Sequence, residues 1–351
     1  MMAVQYILLT LFFILCVIIS GCGRRKQMEF LAFSLVVYTL FITFRDAAVW
    51  SDTRGYMTSF KFYTKNLYDF SFHDTIAGYT ERGFYMIGVV VKTFTRDERV
   101  YLFVVAAISM VMLFTDLRRY AVYPLMVLCL YMARFGFGRH FVQIRAGLAI
   151  LMVIAGMRYV TNRQLWRYLV VVVTASFFHA SALIALPAYF LNSIALRKKH
   201  VVIILFVAWI MASVNATYIR KHVTRWSVQT EMAQSYTNMK NTQKSVGRGL
   251  HNPMLIYQSA LLLLLTFSEG RVRNQTPHYI TLRNGYLYST VWLILLSEFH
   301  VLSERGSTIT ATYECFFLPL FFGAARGNER IISVIALYLY AVIWLTINMN
   351  K

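Results

Sequence analysis

Apolar runs of eleven to seventeen residues recur along the whole chain, parted by short links rich in arginine and lysine. The runs are Val4–Ser20, Phe30–Phe44, Val100–Phe114, Tyr120–Ala133, Phe141–Met157, Tyr168–Phe178, Ser181–Ile194, Val201–Ala216, Pro253–Phe267, Tyr286–Leu296, Thr308–Gly323 and Ile331–Ile347. A bilayer-spanning helix needs about 20 mainly apolar residues. The shorter runs must therefore borrow flanking positions. Twelve such spans use about 240 residues and leave about 110 for loops. Composition agrees: 58% of residues are hydrophobic and 14% charged, against about 45–50% and about 25% in soluble domains. The expected fold is all-α, a polytopic transmembrane helical bundle. Residues 1–351 form a single integral membrane domain, with no room for a separate soluble one.

The basic links orient the bundle. Arg24–Lys26, Arg118-Arg119, Arg158/Arg163/Arg167, Arg197–Lys199, Arg271/Arg273/Arg283 and Arg326/Arg330 hold 16 of the 35 basic residues. Placed together on the cytoplasmic face, they give a consistent alternation by the positive-inside rule. Phe84–Phe94 decides the count. It is eleven residues long and contains Lys92. If it dips or lies on the interface, the chain has twelve spans, and Arg45–Arg99 and Tyr218–Asn252 are external loops. If it crosses, the count is thirteen. At the N-terminus, Ser20-Gly21-Cys22 looks like a lipoprotein cleavage box. However, Met1–Gln5 carries no charged side chain and Arg24–Lys26 follows the run. That order suits a first span with its N-terminus outside better than a cleaved signal.

The net charge is +20, and more than half of the cations fall outside the cytoplasmic links. Such an excess suits two solvated basic loops or an outward-facing site for an anion. Ionisable residues at membrane depth are costly and point to function. Arg139, Arg145, His179, Glu298, His300, Glu304 and Arg305 come from distant parts of the chain yet share one level, the outer ends of runs. Each also has a local structural explanation: His179 as a helix-end histidine, Glu304 beside Arg305 as an ion pair. The first outer loop adds Asp52, Arg54, Tyr56 and Glu81. Its aromatics, Tyr56 and Tyr79 among them, suit sugar stacking or an interfacial belt. Cys16, Cys22, Cys129 and Cys315 show no paired spacing, so neither a disulfide framework nor a zinc site is expected. Walker, His-Glu-x-x-His and Gly-x-Ser-x-Gly motifs are absent, as is any Asp-x-Asp pair. The basic residues flank membrane spans, so nucleic acid is not an expected partner.

Several elements together resemble the EpsG-like, Wzy-type polysaccharide (O-antigen) polymerases of bacterial inner membranes. They are Asp52…Tyr56, Glu81-x-Gly83-Phe84, Ile144-Arg145-Ala146-Gly147-Leu148-Ala149, and Phe178-His179-Ala180-Ser181-Ala182-Leu183-Ile184 with Pro187 and Tyr189. Arg305 before Tyr313 and Leu318-Pro319 completes the pattern, which runs from about Asp52 to Leu320. Ala146 departs from the glutamine common in such proteins.

The resemblance implies a GT-C-like glycosyltransferase, multi-pass in the inner membrane, with its active site facing the periplasm. It implies transfer of a growing glycan from undecaprenyl pyrophosphate to a lipid-linked repeat unit, without a cofactor or metal. Partners implied are the undecaprenyl-pyrophosphate-linked oligosaccharide, membrane lipids, and chain-length regulator and flippase proteins. On that reading Arg139, Arg145 and Arg305 bind the pyrophosphate. His179, Glu81 and Asp52, in that order, are candidates for the base, and Tyr56, Arg54, Glu304 and His300 face the sugar. The alternatives are an O-antigen ligase, with the same donor and a lipopolysaccharide acceptor, and a transporter or flippase of lipid-linked sugars. A transporter should show a repeated half or paired broken helices, and neither is found.

Overall fold

A computed structural model of the chain describes residues 2–47, 49–71, 81–192, 194, 196–214 and 249–349. Residues 218–248 of the second expected outer loop, and 72–80 of the first, lie outside that set. Among the described residues all regular structure is helical. The helices are α1 (Met2–Ser20), α2 (Arg24–Thr43), α3 (Ser51–Thr58), α4 (Arg82–Phe94), α5 (Glu98–Tyr120), α6 (Pro124–Tyr131), α7 (Ile144–Ala155), α8 (Met157–Thr161) and α9 (Leu165–Ser176). They continue with α10 (Ala188–Asn192), α11 (Lys198–Val214), α12 (Pro253–Phe267), α13 (Glu269–Val272), α14 (Tyr279–Leu295), α15 (His300–Ala311), α16 (Tyr313–Ala324) and α17 (Asn328–Met349).

Among the described residues four stretches are both long and apolar enough to cross a membrane: Arg24–Thr43, Glu98–Tyr120, Ile144–Thr161 and Asn328–Met349. Val4–Ser20, Pro124–Gly136, Leu165–Ser176, Ala180–Leu191 and Pro253–Phe267 are shorter apolar helices. Their outer surfaces are those of membrane helices. On α17, Ile331, Ile332, Ile335, Leu339 and Ile343 are all exposed. On α2 the same holds for Phe33, Val36, Val37 and Leu40. Continuous apolar faces of this size are costly in water and cost nothing against lipid tails. The protein is a helical membrane protein.

The chain forms two compact units. The first comprises Met1–Met157, Trp166–Leu183 and Leu318–Lys351; the second comprises Arg158–Leu165 and Ile184–Phe317. In the first, α2 packs along α5, and α5 along α7. Between Thr43 and Glu98 the chain folds back onto the ends of these helices. Phe60, Phe84, Val91, Tyr101, Leu102, Val105 and Ile144 form one buried cluster there, and the Phe60 ring stacks on Tyr101 at 4.5 Å. Helix α4 has 13 residues, about 20 Å at 1.5 Å per residue, short of a hydrocarbon core of about 30 Å. Lys92, the cation inside the corresponding apolar run, donates to the carbonyls of Phe60 at 2.9 Å and Lys61 at 2.8 Å. It thereby satisfies the end of a π-helical turn, Ser59–Tyr63.

Two arginines, Arg45 buried and Arg99 half-buried, fix the chain reversals of this unit. Arg45 donates to Thr53 Oγ1 at 2.7 Å and to the carbonyls of Ile42 and His140. Arg99 donates to the carbonyls of Thr43 and Arg45. The bonds to Ile42 and Thr43 satisfy carbonyls left over at the end of α2. In the second unit α14 packs on α11, α12 and α15. Arg283, fully buried, donates to Glu269, Asn284 and the Leu196 carbonyl. Glu314, also fully buried, accepts from Tyr286 at 2.8 Å and Tyr257 at 3.4 Å.

The Phe60 cluster is what clamps α4 to the bundle. Phe60→Ala removes the ring stacked on Tyr101, and buried Phe→Ala changes cost about 3–5 kcal/mol. The purified variant should melt several degrees below the wild type, and Phe60→Leu should recover most of the loss. An unchanged melting temperature for Phe60→Ala would show that the cluster does not hold the segment.

Candidate functional site

Three segments of the first unit meet around one carboxylate. Glu81 is the residue just before α4. Its side chain makes no cap bond to its own helix and turns away to two partners. Oε2 accepts from Arg145 NH1 at 2.6 Å, and Oε1 lies 2.7 Å from His179 Nδ1. The Ala180 amide adds a weaker donor to Oε1 at 3.3 Å. Side-chain exposures of 21% for Arg145, 13% for Glu81 and 10% for His179 describe a recessed group with one edge open.

Each segment arrives there for a local reason. Helix α9 ends at Ser176, and the His179 amide bonds back to the Ala175 carbonyl at 3.0 Å. The His179 carbonyl then accepts from Ala182 and opens a 3₁₀ turn, Ala180–Ala185. The Phe-His-Ala-Ser-Ala element is therefore a break between two helical pieces, and the histidine sits in the break. Arg145 stands in the first turn of α7, after a π-helical turn at Gly138–Val142 closed by Gln143 N to Gly138 O at 2.7 Å. Glu81 is docked by its neighbour. The Gly83 amide donates to the Phe177 carbonyl at 2.8 Å, and a Cβ at Gly83 would sit 2.7 Å from that oxygen. Only glycine allows α4 this close to α9.

Burial pushes the Glu81 carboxyl up, but the hydrogen bond and charge of His179 and the charge of Arg145 outweigh it. The group is held below the usual glutamate range. It is ionised at neutral pH and can only accept, so His179 Nδ1 must be the donor. That fixes the tautomer and turns Nε2 away from the carboxylate as the ring's remaining functional nitrogen. Tyr56, on α3, packs its ring 6.0 Å from the Arg145 guanidinium carbon, and its phenol oxygen accepts a hydrogen bond from Arg145. Burial raises its phenol and Arg145 offsets part of the rise, which keeps the hydroxyl a donor. The arrangement offers a histidine oriented by a carboxylate, next to a fixed guanidinium. Such a set can take a proton from a hydroxyl and stabilise a developing anion.

Of the residues expected from the sequence, Glu81, Arg145, His179 and Tyr56 come together. Asp52 and Arg54 are exposed on α3, Asp52 close enough for its charge to act on Tyr56. Arg139 is buried on the π-helical turn, over the rings of Phe135 at 4.1 Å and Tyr131 at 5.7 Å. Glu304, exposed, and Arg305, half-buried, lie on the first turns of α15 in the second unit, where the backbone of His300 begins the helix. Among the described residues no group of three His, Cys, Asp or Glu side chains is placed to hold a metal ion.

The sequence reading passed over Arg134 and His140, both buried. Arg134 lies 3.6 Å over the Trp344 ring, and His140 Nε2 is 3.0 Å from the Tyr131 hydroxyl. It also passed over Glu314. An acid inside the run Thr308–Gly323 and cations beside Tyr120–Ala133 were the available signals.

No curated protein matches the chain, and no solved structure does. A family model does: the EpsG family, over residues 28–351. That match covers all three segments of the Glu81 cluster and nearly the whole of both units. The chain belongs to the EpsG family, membrane proteins of Wzy-type polymerase-like character.

Proposed function

We propose that the protein is a glycan polymerase of the bacterial inner membrane, moving a growing chain from undecaprenyl pyrophosphate onto a lipid-linked repeat unit. The product class is O-antigen or a related exopolysaccharide. The observation that carries this reading is the Glu81 carboxylate bonded at once to His179 and Arg145. In the proposed step the acceptor sugar hydroxyl gives its proton to His179 Nε2. Its oxygen bonds to the donor's anomeric carbon, and the bond from that carbon to the pyrophosphate oxygen breaks. The pyrophosphate leaves as an anion, which Arg145 stabilises. A planar guanidinium suits phosphate oxygens because it binds them bidentately and stays charged. Glu81 acts through its neighbours: it orients His179 and fixes Arg145. This moves Glu81 from candidate base to positioning residue.

Asp52, Arg54 and Tyr56 are assigned to sugar hydroxyls near this cluster. Arg139 and Arg305 for pyrophosphate, and Glu304 and His300 for sugar, are further candidates, each to be tested alone. The proposed topology has twelve spans, a GT-C-like layout, Arg45–Arg99 and Tyr218–Asn252 in the periplasm and the six basic links in the cytoplasm. The shortness of α4 supports twelve rather than thirteen.

The test is polymer formation by purified protein from a lipid-linked repeat unit. A missing general base costs about 10²–10⁴-fold, so His179→Ala should lose at least a hundredfold at normal protein level. Arg145→Lys keeps the charge but loses the fork and should fall clearly below wild type. Glu81→Gln should lose about 10–100-fold, as do other residues that orient a reactive group. A well-folded His179→Ala of full activity would remove this mechanism.

The Glu81 carboxyl also links stability to pH. Its folded pKa lies below its unfolded one, so its contribution is complete above the ordinary glutamate value of about 4.3 and is lost as pH falls through the folded value. The melting-temperature gap between wild type and Glu81→Gln should be full at pH 7, shrink as pH falls below about 4.3 and close below the folded value. A gap that does not change with pH would contradict the bonding described.

Topology is checked by labelling intact cells with an impermeant thiol reagent. Cysteine at Lys61 or Lys240 should react, and cysteine at Lys198 should not. Reaction at position 198 but not at 240 would invert the orientation.

A further inference from the structure

A second basic feature of the first unit stands at the other end of α2 and α5, and the Glu81 chemistry does not use it. Glu98 and Arg118 are 20 residues apart on α5, about 30 Å along the helix. The start of α2 and the end of α5 therefore meet one bilayer depth away from the ends that carry the Phe60 cluster. A cavity of about 430 Å³ opens there, lined by Arg24, Arg25, Met28, Phe114 and Arg118. From this geometry we infer that the cavity binds the phosphate headgroup of an anionic phospholipid.

The electrostatics of the cavity call for an anion. Arg24 is fixed, because it donates to the carbonyls of Arg118 at 3.0 Å and of Ala121 and Val122 at 3.3 Å. These bonds close the end of α5 and hold the Arg24 guanidinium where the Arg118 charge repels it. No carboxylate lines the cavity. Glu29, one turn along α2 from Arg25, is already engaged with it at 2.9 Å. The fixed Arg24 and the exposed Arg118, whose charge acts on it, stand beside the first turn of a 20-residue helix and make a site of positive potential. A phosphate between them relieves the repulsion and can accept from the Arg118 fork and from the Arg24 N–H groups not already given to carbonyls.

The walls select a lipid over a free phosphate. Met28 follows Arg24 by four residues on α2, and Phe114 precedes Arg118 by four on α5. On both helices the apolar side chain lies one turn deeper into the bilayer than the arginine, where an acyl chain would begin. A soluble phosphate has no use for that pair, whereas a glycerophospholipid meets cation and hydrocarbon in that order. Juxtamembrane arginines of this kind contribute about 1 kcal/mol each toward anionic lipids, which is about fivefold in retention. This inference is independent of the polymerase reading and is tested without any activity.

The experiment is native mass spectrometry of the purified full-length protein in neutral detergent, with an equimolar mixture of dioleoyl phosphatidylglycerol and dioleoyl phosphatidylcholine. The wild type should retain phosphatidylglycerol preferentially. Arg118→Gln should weaken that preference about fivefold and Arg25→Gln/Arg118→Gln more, while Arg118→Lys keeps part of it. Arg330→Gln, which removes an equal charge elsewhere, should leave it unchanged. Arg24 is left intact because it closes the end of α5. Should the Gln variants fail to fold, the wild type still decides the matter through its choice between the two lipids and its response to inorganic pyrophosphate. Equal retention of both lipids, or a preference untouched by Arg118→Gln in folded protein, overturns the inference. Displacement of phosphatidylglycerol by millimolar inorganic pyrophosphate would show a phosphate site without lipid selectivity and also overturn it.

Discussion

The Glu81 carboxylate ties together three pieces of chain that are distant in sequence. One is the segment between α2 and α5, one is the start of α7, and one is the break after α9. A lone carboxylate recessed to 13% exposure would pay a large desolvation cost. Here one cation and one imidazole N–H meet its two oxygens, and a backbone amide assists. The same bonds decide what each partner can do. His179 is held by one nitrogen and presents the other. Arg145 is anchored on one side of its fork. The pattern is that of an oriented histidine in any acid–base site, assembled from loop ends because membrane helices have no spare backbone to offer.

The helical character and the membrane were legible in the sequence because they rest on composition and run length, which need no partner. The Glu81 cluster was legible in part. Arg145 and His179 stood out as ionisable residues at run ends and Glu81 as an acid of the first loop, but the bonds that join the three could not be read there. A hydrogen bond between residues 64 or 98 positions apart leaves no periodic trace. Arg134 and His140 were missed for another reason: they lie in the short link between the runs Tyr120–Ala133 and Phe141–Met157, and the π-helical turns that bury them have no hydrophobic period of their own. Lys92 was legible as a problem for a spanning helix. That its ammonium closes the carbonyls of Phe60 and Lys61 depends on a chain reversal that the sequence does not announce.

Cations carry most of the structural work in this protein. Arg45, Arg99 and Arg283 all donate to backbone carbonyls at helix ends or in the reversals beside them, as Lys92 and Arg24 do. In a bilayer such carbonyls have no water to turn to. A long side chain with several donors can satisfy two or three at once. Part of the +20 charge is thus a device for ending helices inside or beside hydrocarbon, and part is left over for anions. The two uses separate by partner: carbonyls for the first, a carboxylate or an open cavity for the second.

The π-helical turns between Met132 and Val142 have a consequence for how this chain can change over time. Each such turn takes up one residue more than an α-helical turn would, and each residue of α-helix advances its face by about 100°. The two turns therefore act as a vernier between α6 and α7. Loss of a single codon anywhere in 132–142 would leave composition and hydropathy untouched. It would nonetheless rotate whatever lies on one side of the deletion by more than a quarter of a circle, swinging Arg145 off Glu81 or Arg139 off its aromatic bed. Substitutions in this stretch can drift one residue at a time, but its length is a counted quantity.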